Sequence, residues 1–103
     1  MMFKQKKIRS KKITQSARGE SCTLRIPTVC NHNSETVVFA HIAGNKGTGT
    51  KNHDLFGVYA CSNCHDWIDG RCNYAVNDYL EEILRALQET QLKLIEKGII
   101  EVK

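Results

Sequence analysis

The feature that most constrains this chain is Cys61-Ser62-Asn63-Cys64, because two sulfurs at that spacing reach one tetrahedral zinc. Cys22 and Cys30 are separated by seven residues, a looser spacing. Pro27 and the turn formers Asn31 and Asn33 let that segment fold back and supply two more sulfurs. Four thiolates make a closed structural site with no open coordination position, so such a zinc holds the fold and activates no water itself. Other readings of the thiols fit less well. The cysteine total of five is odd, against a disulfide framework, and a thioredoxin-like redox pair would need a βαβ context that is missing. Cys61 to His65 also spells the C-x-x-C-H of haem attachment. That chemistry needs export and often a distal Met or His, yet Met1 and Met2 are the only methionines, and haem leaves Cys22 and Cys30 without a role. Cys72 reads as a spare, packed as a small hydrophobe.

At 103 residues one domain is expected, with a modest core that a bound metal would support. No run is long enough to span a membrane, and residues 1–7 carry charge where a signal peptide needs an apolar stretch. The expected location is the cytoplasm, with reduced thiols. The formal net charge of +4 is unevenly spread. Residues 1–25 hold eight basic side chains against Glu20 alone, whereas the remainder has seven basic and ten acidic residues. A basic arm on a near-neutral body suggests a nucleic-acid partner, since phosphate contacts give affinity without sequence information. The same charge would also suit a solvated tail.

Residues 1–18 lack apolar periodicity and are expected to form a flexible basic arm, with a zinc-stabilised α+β domain over 19–103. Residues 36–42 are β-branched and aromatic and read as a strand, with Val37, Phe39 and His41 on one face and Val38, Ala40 and Ile42 on the other. A Gly-, Asn- and Thr-rich loop follows over 44–54, then a second strand over 55–60 with Gly57 as a candidate bulge. The two strands would form a hairpin. A short helix is expected over 64–69, stopped by Gly70, and a long C-terminal helix over 78–97. Asp78 and Glu81 suggest a capping box there, and Gly98 a C-terminal stop. Tyr79, Leu80, Ile83, Leu84, Leu87, Gln91, Leu94 and Ile95 recur at helical spacing and are read as its core face, a homodimer seam being the other use of such a stripe. The chain would accordingly be a monomer or a dimer through this helix. Residues 99–102 could add an edge strand.

Of the four histidines, His41 lies late in a strand and His65 directly follows Cys64 at the start of a helix. If hairpin and helix share one zinc, both imidazoles approach one cleft, where they could serve a metal-bound phosphate and a general base. The loop between the strands carries Lys46 and Lys51, suited to phosphate contact. Its Gly-rich run ends Thr50-Lys51, the reverse of a Walker A motif, and lacks the βαβ setting, which argues against nucleotide hydrolysis.

A strand with His-Ile, a loop, a strand ending in C-x-x-C-H and a helix together resemble the HNH endonucleases, the treble-clef or ββα-metal fold. More closely, the chain resembles the prophage YbcO family, described as nucleases. The resemblance rests on Ala17-Arg18-Gly19-Glu20-Ser21-Cys22, Arg25-Ile26-Pro27, Val29-Cys30-Asn31, Ala40-His41-Ile42, Gly47-Thr48-Gly49-Thr50-Lys51, Asp54-Leu55 and residues 61–66 with Ile68-Asp69, over about residues 17–100. It implies a zinc-stabilised HNH-like domain acting on DNA phosphodiesters in phage or prophage DNA metabolism or recombination.

Carried onto this sequence, the resemblance makes Cys22, Cys30, Cys61 and Cys64 the structural zinc ligands and His41 the general base. It makes His65 a ligand of a catalytic divalent cation, Mg²⁺ or Mn²⁺ by ligand type, with Asp54 as a further catalytic residue and ligand. Lys11, Lys12, Arg18, Lys46 and Lys51 would contact DNA. Two positions depart from the pattern. Ala40 stands where many HNH enzymes carry an acidic metal ligand, and the middle Asn has only Asn52, His53 and Asp54 as candidates. The alternative is a non-catalytic zinc module binding DNA or a recombination protein, with His41 and His65 packed or capping.

Overall fold

The computed structural model describes residues 8–42, 52–68 and 79–103. Two short strands, β1 (Val38–His41) and β2 (Gly57–Ala60), pair antiparallel in the register Val38↔Ala60, Phe39↔Tyr59, Ala40↔Val58 and His41↔Gly57. The expected hairpin is therefore present, with shorter strands. Thr36 belongs to a 3-10 turn, Ser34–Thr36, because its hydroxyl bonds locally to the Asn33 carbonyl at 2.9 Å and Asn33 caps the turn. Gly57 is no bulge: it sits in the ladder opposite His41. A Cβ there would come within 2.5 Å of Phe39 Cζ and 2.9 Å of the Ala40 carbonyl oxygen, so the absent side chain makes room for the Phe39 ring. Burial along β1 does not alternate as the pattern suggests: Val37 and Ala40 are both buried and Val38 is exposed.

The long helix, Leu80–Glu96, lies against β2, all four of whose residues are buried. Its core face is Ile83, Ala86, Thr90 and Leu94, rotated from the expected stripe, and Leu80, Leu84 and Ile95 are exposed, Leu84 by 57%. Thr90 explains the rotation. Its fully buried hydroxyl accepts the Tyr59 N–H at 3.2 Å and meets the Thr23 hydroxyl at 3.3 Å, while Tyr59 O accepts from Thr23 N at 2.7 Å and Thr23 Oγ1 at 2.8 Å. The backbone of β2 facing away from β1 is thus satisfied by two threonines. The helix begins after Tyr79, which makes no side-chain cap, and the expected capping box rests on Asp78, outside the described residues; Glu81 and Glu82 in the first turn suit the helix dipole. Its stop is as expected: Gly98 has φ +75°, Gly98 N bonds to Ile95 O and Ile99 N to Leu94 O. Ile99 and Ile100 both return their N–H groups to Leu94 O and form no edge strand.

Residues 8–18 differ from a tail without structure. Ser10 caps a helix, α1 (Lys11–Gln15), whose Ile13 is buried, and Ala17 joins the main core with Leu24, Ile26, Val37, Val58 and Tyr59. Ser16 Oγ lies 2.7 Å from the Tyr59 hydroxyl. The short helix α2 (Ser62–Asp66) and the long helix α3 (Leu80–Glu96) are the other two described α-helices. α2 starts two residues earlier than expected because Cys61 caps it, its sulfur accepting the Cys64 N–H at 3.4 Å. Gly70, Asp78 and Cys72 lie outside the described residues. Among the described residues no helix is long and apolar enough to cross a membrane.

Candidate functional site

Three left-handed residues shape the segment that carries Cys22 and Cys30: Arg25 (φ 46°), Thr28 (φ 63°) and His32 (φ 55°). A β-branched residue in that region is costly, so the packing around it must hold the loop in place. Val29 N and Cys30 N both bond to Ile26 O, and Ile26 and Leu24 are fully buried. The loop so formed returns Cys30 to Cys22, while β2 and α2 deliver Cys61 and Cys64. All four sulfurs lie within 4.8 Å of one another. Cys30 Sγ and Cys61 Sγ are 3.8 Å apart, which matches the edge of a ZnS₄ tetrahedron, ~3.8 Å for Zn–S bonds of ~2.3 Å.

Backbone N–H groups converge on these sulfurs. Cys61 Sγ accepts from Cys64 N and from Asn31 N at 3.5 Å; Arg25 donates to Cys22, His32 to Cys30 and Ile26 to Cys64. The Cys22 thiol is pushed down to about 4, first by the hydrogen bond from Cys64, and the Cys64 thiol is pushed up because it gives that bond and is buried. Desolvation raises Cys30. A set of four free thiols with N–H donors aimed at them has the donor chemistry to hold a soft tetrahedral metal such as zinc.

The second arrangement centres on His41, at the end of β1. Its ring is mostly buried, stands edge-on to Phe39 with centroids 5.4 Å apart, and places Nε2 2.7 Å from Asp54 Oδ1. Asp54 is only 5% exposed. Its Oδ1 also receives Arg9 Nη1 at 3.3 Å, and its Oδ2 receives the Ser10 backbone N–H at 2.7 Å. Burial alone would raise the Asp54 carboxyl; the hydrogen bonds from His41 and Ser10 and the charge of Arg9 outweigh it and hold the group below its ordinary value. The carboxylate is therefore ionised at neutral pH and fixed by donors on both oxygens.

The structure brings together the four cysteines as one set and His41 with Asp54 as another. His65 is half-buried in the last turn of α2, its backbone N–H bonded to Cys61 O at 2.8 Å, and no hydrogen bond joins it to His41 or Asp54 among the described residues. Lys11 and Lys12 are exposed on α1, which packs on β1, and Arg18 is exposed just beyond. Lys46 and Lys51 lie outside the described residues. The sequence gives no site role to Ile8, Arg9 or Ser10, and offers His53 only as a candidate for the middle Asn of the HNH pattern. Ile8 N donates to His53 Nδ1 at 3.0 Å, Ile8 O accepts Asp54 N–H at 2.8 Å, and Arg9 Nη1 reaches Asn52 O at 2.6 Å. The available signal was Ser10 ahead of Ile13 and Ala17, an N-cap with two apolar residues four apart.

Comparison with known proteins places the chain in a family. The family model described as "Putative nuclease YbcO" matches residues 11–98. "Putative nuclease YbcO" of Escherichia coli (strain K12) is 45% identical over 91 residues, covering 85% of this chain and 95% of that protein. "Putative nuclease ybcO" of Enterobacteria phage 82 matches with the same identity and coverage. A solved structure, "Structure of a putative bacteriophage protein from Escherichia coli str. K-12 substr. MG1655", superposes with a TM-score of 0.66 at 41% identity, covering 82% of this chain and 98% of the other. The chain belongs to the YbcO family.

Proposed function

We propose that this chain is an HNH-type endonuclease that hydrolyses DNA phosphodiesters, with His41 as the general base. The observation that carries this reading is the 2.7 Å contact between His41 Nε2 and the buried Asp54 carboxylate. A carboxylate there stabilises the Nε2–H tautomer, directs Nδ1 to accept a proton from water, and stabilises the imidazolium that results. The name nuclease carried by the relatives supports the reading, as do the exposed Lys11 and Lys12 on α1, which packs against the strand bearing His41. The four cysteines would hold a structural zinc that fixes α2 against β2 and takes no part in the chemistry.

A divalent cation on His65 would supply neutralisation of the phosphate oxygens and the leaving alkoxide. Asp54 is better suited to orienting His41 than to binding that cation, because both its oxygens are already taken by donors. Among the described residues the four cysteines are the one grouping of three or more close metal-ligating side chains. That observation, with Ala40 beside His41, favours the second reading, a zinc module that binds DNA without cutting it. Incubating the protein with single-stranded, duplex and branched DNA in Mg²⁺, Mn²⁺ or Ni²⁺ separates the two: nicking lost in His41→Ala supports the enzyme, and binding without nicking under every condition supports the module.

A further inference from the structure

Residues 8–10 precede the span 11–98 that the family model matches, and charge alone would make them part of a DNA tether. Their contacts are of another kind. Ile8 pairs through its backbone with both neighbours in the loop before β2, giving its N–H to His53 Nδ1 and taking the Asp54 N–H. Arg9 reaches across to Asn52 O and to Asp54 Oδ1, the same oxygen that His41 uses. Ser10 gives its backbone N–H to Asp54 Oδ2 and caps α1 with its hydroxyl, which accepts from Ile13 N at 3.3 Å. The segment is thus anchored at one end on His53 and at the other on α1, whose Ile13 is buried.

We propose that residues 8–10 are a positioning strap for the His41–Asp54 pair, so that this segment sets the tautomer and aim of the general base as well as any affinity for DNA. The inference rests on the nuclease reading above for its consequence in rate, and on the contacts alone for its consequence in tautomer. A carboxylate held at both oxygens cannot turn, so the Nε2–H of His41 has one fixed acceptor and Nδ1 one fixed direction. Without the Ser10 N–H and Arg9, His41 is the one donor left to the Asp54 carboxylate among the described residues, and the carboxylate can rotate or take up water. Arg9 also places a positive charge beside the buried carboxylate, which lowers the cost of keeping it ionised.

The test uses the full chain labelled with ¹⁵N-histidine, a chain in which Met directly precedes Lys11, and the full-length Arg9→Ala and Arg9→Lys variants. Long-range ¹H–¹⁵N correlations read the His41 tautomer at neutral pH, and steady-state cleavage of a DNA duplex reads kcat and KM. The full chain should show His41 as the Nε2–H tautomer. The shortened chain should show a mixture and lose roughly 10-fold to 100-fold in kcat, with KM moving much less, as expected for a displaced catalytic group. Arg9→Ala should shift both readouts the same way by less, and Arg9→Lys should restore part of the loss. If the shortened chain does not fold, the two Arg9 variants decide, since they leave the Ser10 cap in place. An unaltered tautomer and kcat without the strap overturn the proposal, and so does a loss carried by KM with the tautomer intact, which would return the segment to a tether. Absence of cleavage by the wild type would defeat the nuclease reading alone, because the tautomer shift would still be read.

Discussion

His41 Nε2 and Asp54 Oδ1 lie 2.7 Å apart, joining the end of β1 to the residue three places before β2. The two are register neighbours in space: His41 pairs with Gly57, and Ile42 N bonds to Phe56 O just beyond, so the hairpin's open end presents histidine to carboxylate. Asn52 Nδ2 closes the same end on Ile42 O at 2.8 Å.

Asp54→Asn should keep the fold, since the amide fits the space of the carboxylate, but remove the charge that supports an imidazolium and fixes the tautomer. Cleavage should fall roughly 10²–10⁴-fold, the range for loss of an oriented base. Kinetics on metal-replete protein check this, with circular dichroism as the control for folding. Full activity in Asp54→Asn would remove Asp54 from the site.

Acid should reveal the same pair through stability. The Asp54 carboxyl is held below its ordinary value near 3.8: burial works against this, and the His41 and Ser10 hydrogen bonds with Arg9 prevail. A group whose folded value is depressed adds stability that is fully present above its unfolded value and disappears as pH falls through its folded value. Urea unfolding of wild type and Asp54→Asn should therefore differ most above about pH 5 and converge towards pH 3. A difference between them that stays constant across that range would contradict the assignment.

The cysteine set predicts one tightly held zinc per chain. Cys61→Ser or Cys64→Ser should leave the protein largely unfolded, because a structural zinc can supply apparent binding energy of ~10–16 kcal/mol to folding. Elemental analysis of protein prepared without chelator checks the stoichiometry, and zinc absent from such protein would refute the site. Release should follow acidification, since each ligand must be a thiolate.

Thr90→Val tests why a hydroxyl occupies the middle of the core helix. The change keeps shape but leaves the Tyr59 N–H without its acceptor in a fully buried place. The cost should be about 1–3 kcal/mol in urea unfolding, with Thr90→Ser close to wild type.

Thr90 also marks where the sequence ceases to be legible. Cys61 and Cys64 announce a candidate metal site because their spacing matches a tetrahedral edge, and Gly98 announces the end of α3 because only glycine takes φ +75° without strain. The buried face of α3 is legible in part: Ile83 and Leu94 are buried as periodicity gives, with Tyr79 and Leu87 packed against the core, but Leu80 and Leu84 are exposed and a polar threonine takes an inner position through its bond to a strand N–H. His41 could be singled out as a candidate base from its place in a strand and from the HNH resemblance, but its contact with Asp54 depends on the closure of the hairpin's open end, which no local pattern records. Arg9 and Ser10 were hidden among lysines. Their role comes from hydrogen bonds across more than forty residues of chain, to Asn52 and Asp54.

As the proposed general base, His41 should be indispensable to cleavage. The measurement that tests this most directly is divalent-metal-dependent nicking of DNA by wild type and His41→Ala, each first shown to hold zinc and to be folded. Wild type should cleave, and His41→Ala should lose roughly 10²–10⁴-fold with zinc content unchanged, because His41 is not a ligand of the cysteine site. Cleavage that persists undiminished in His41→Ala would contradict that role.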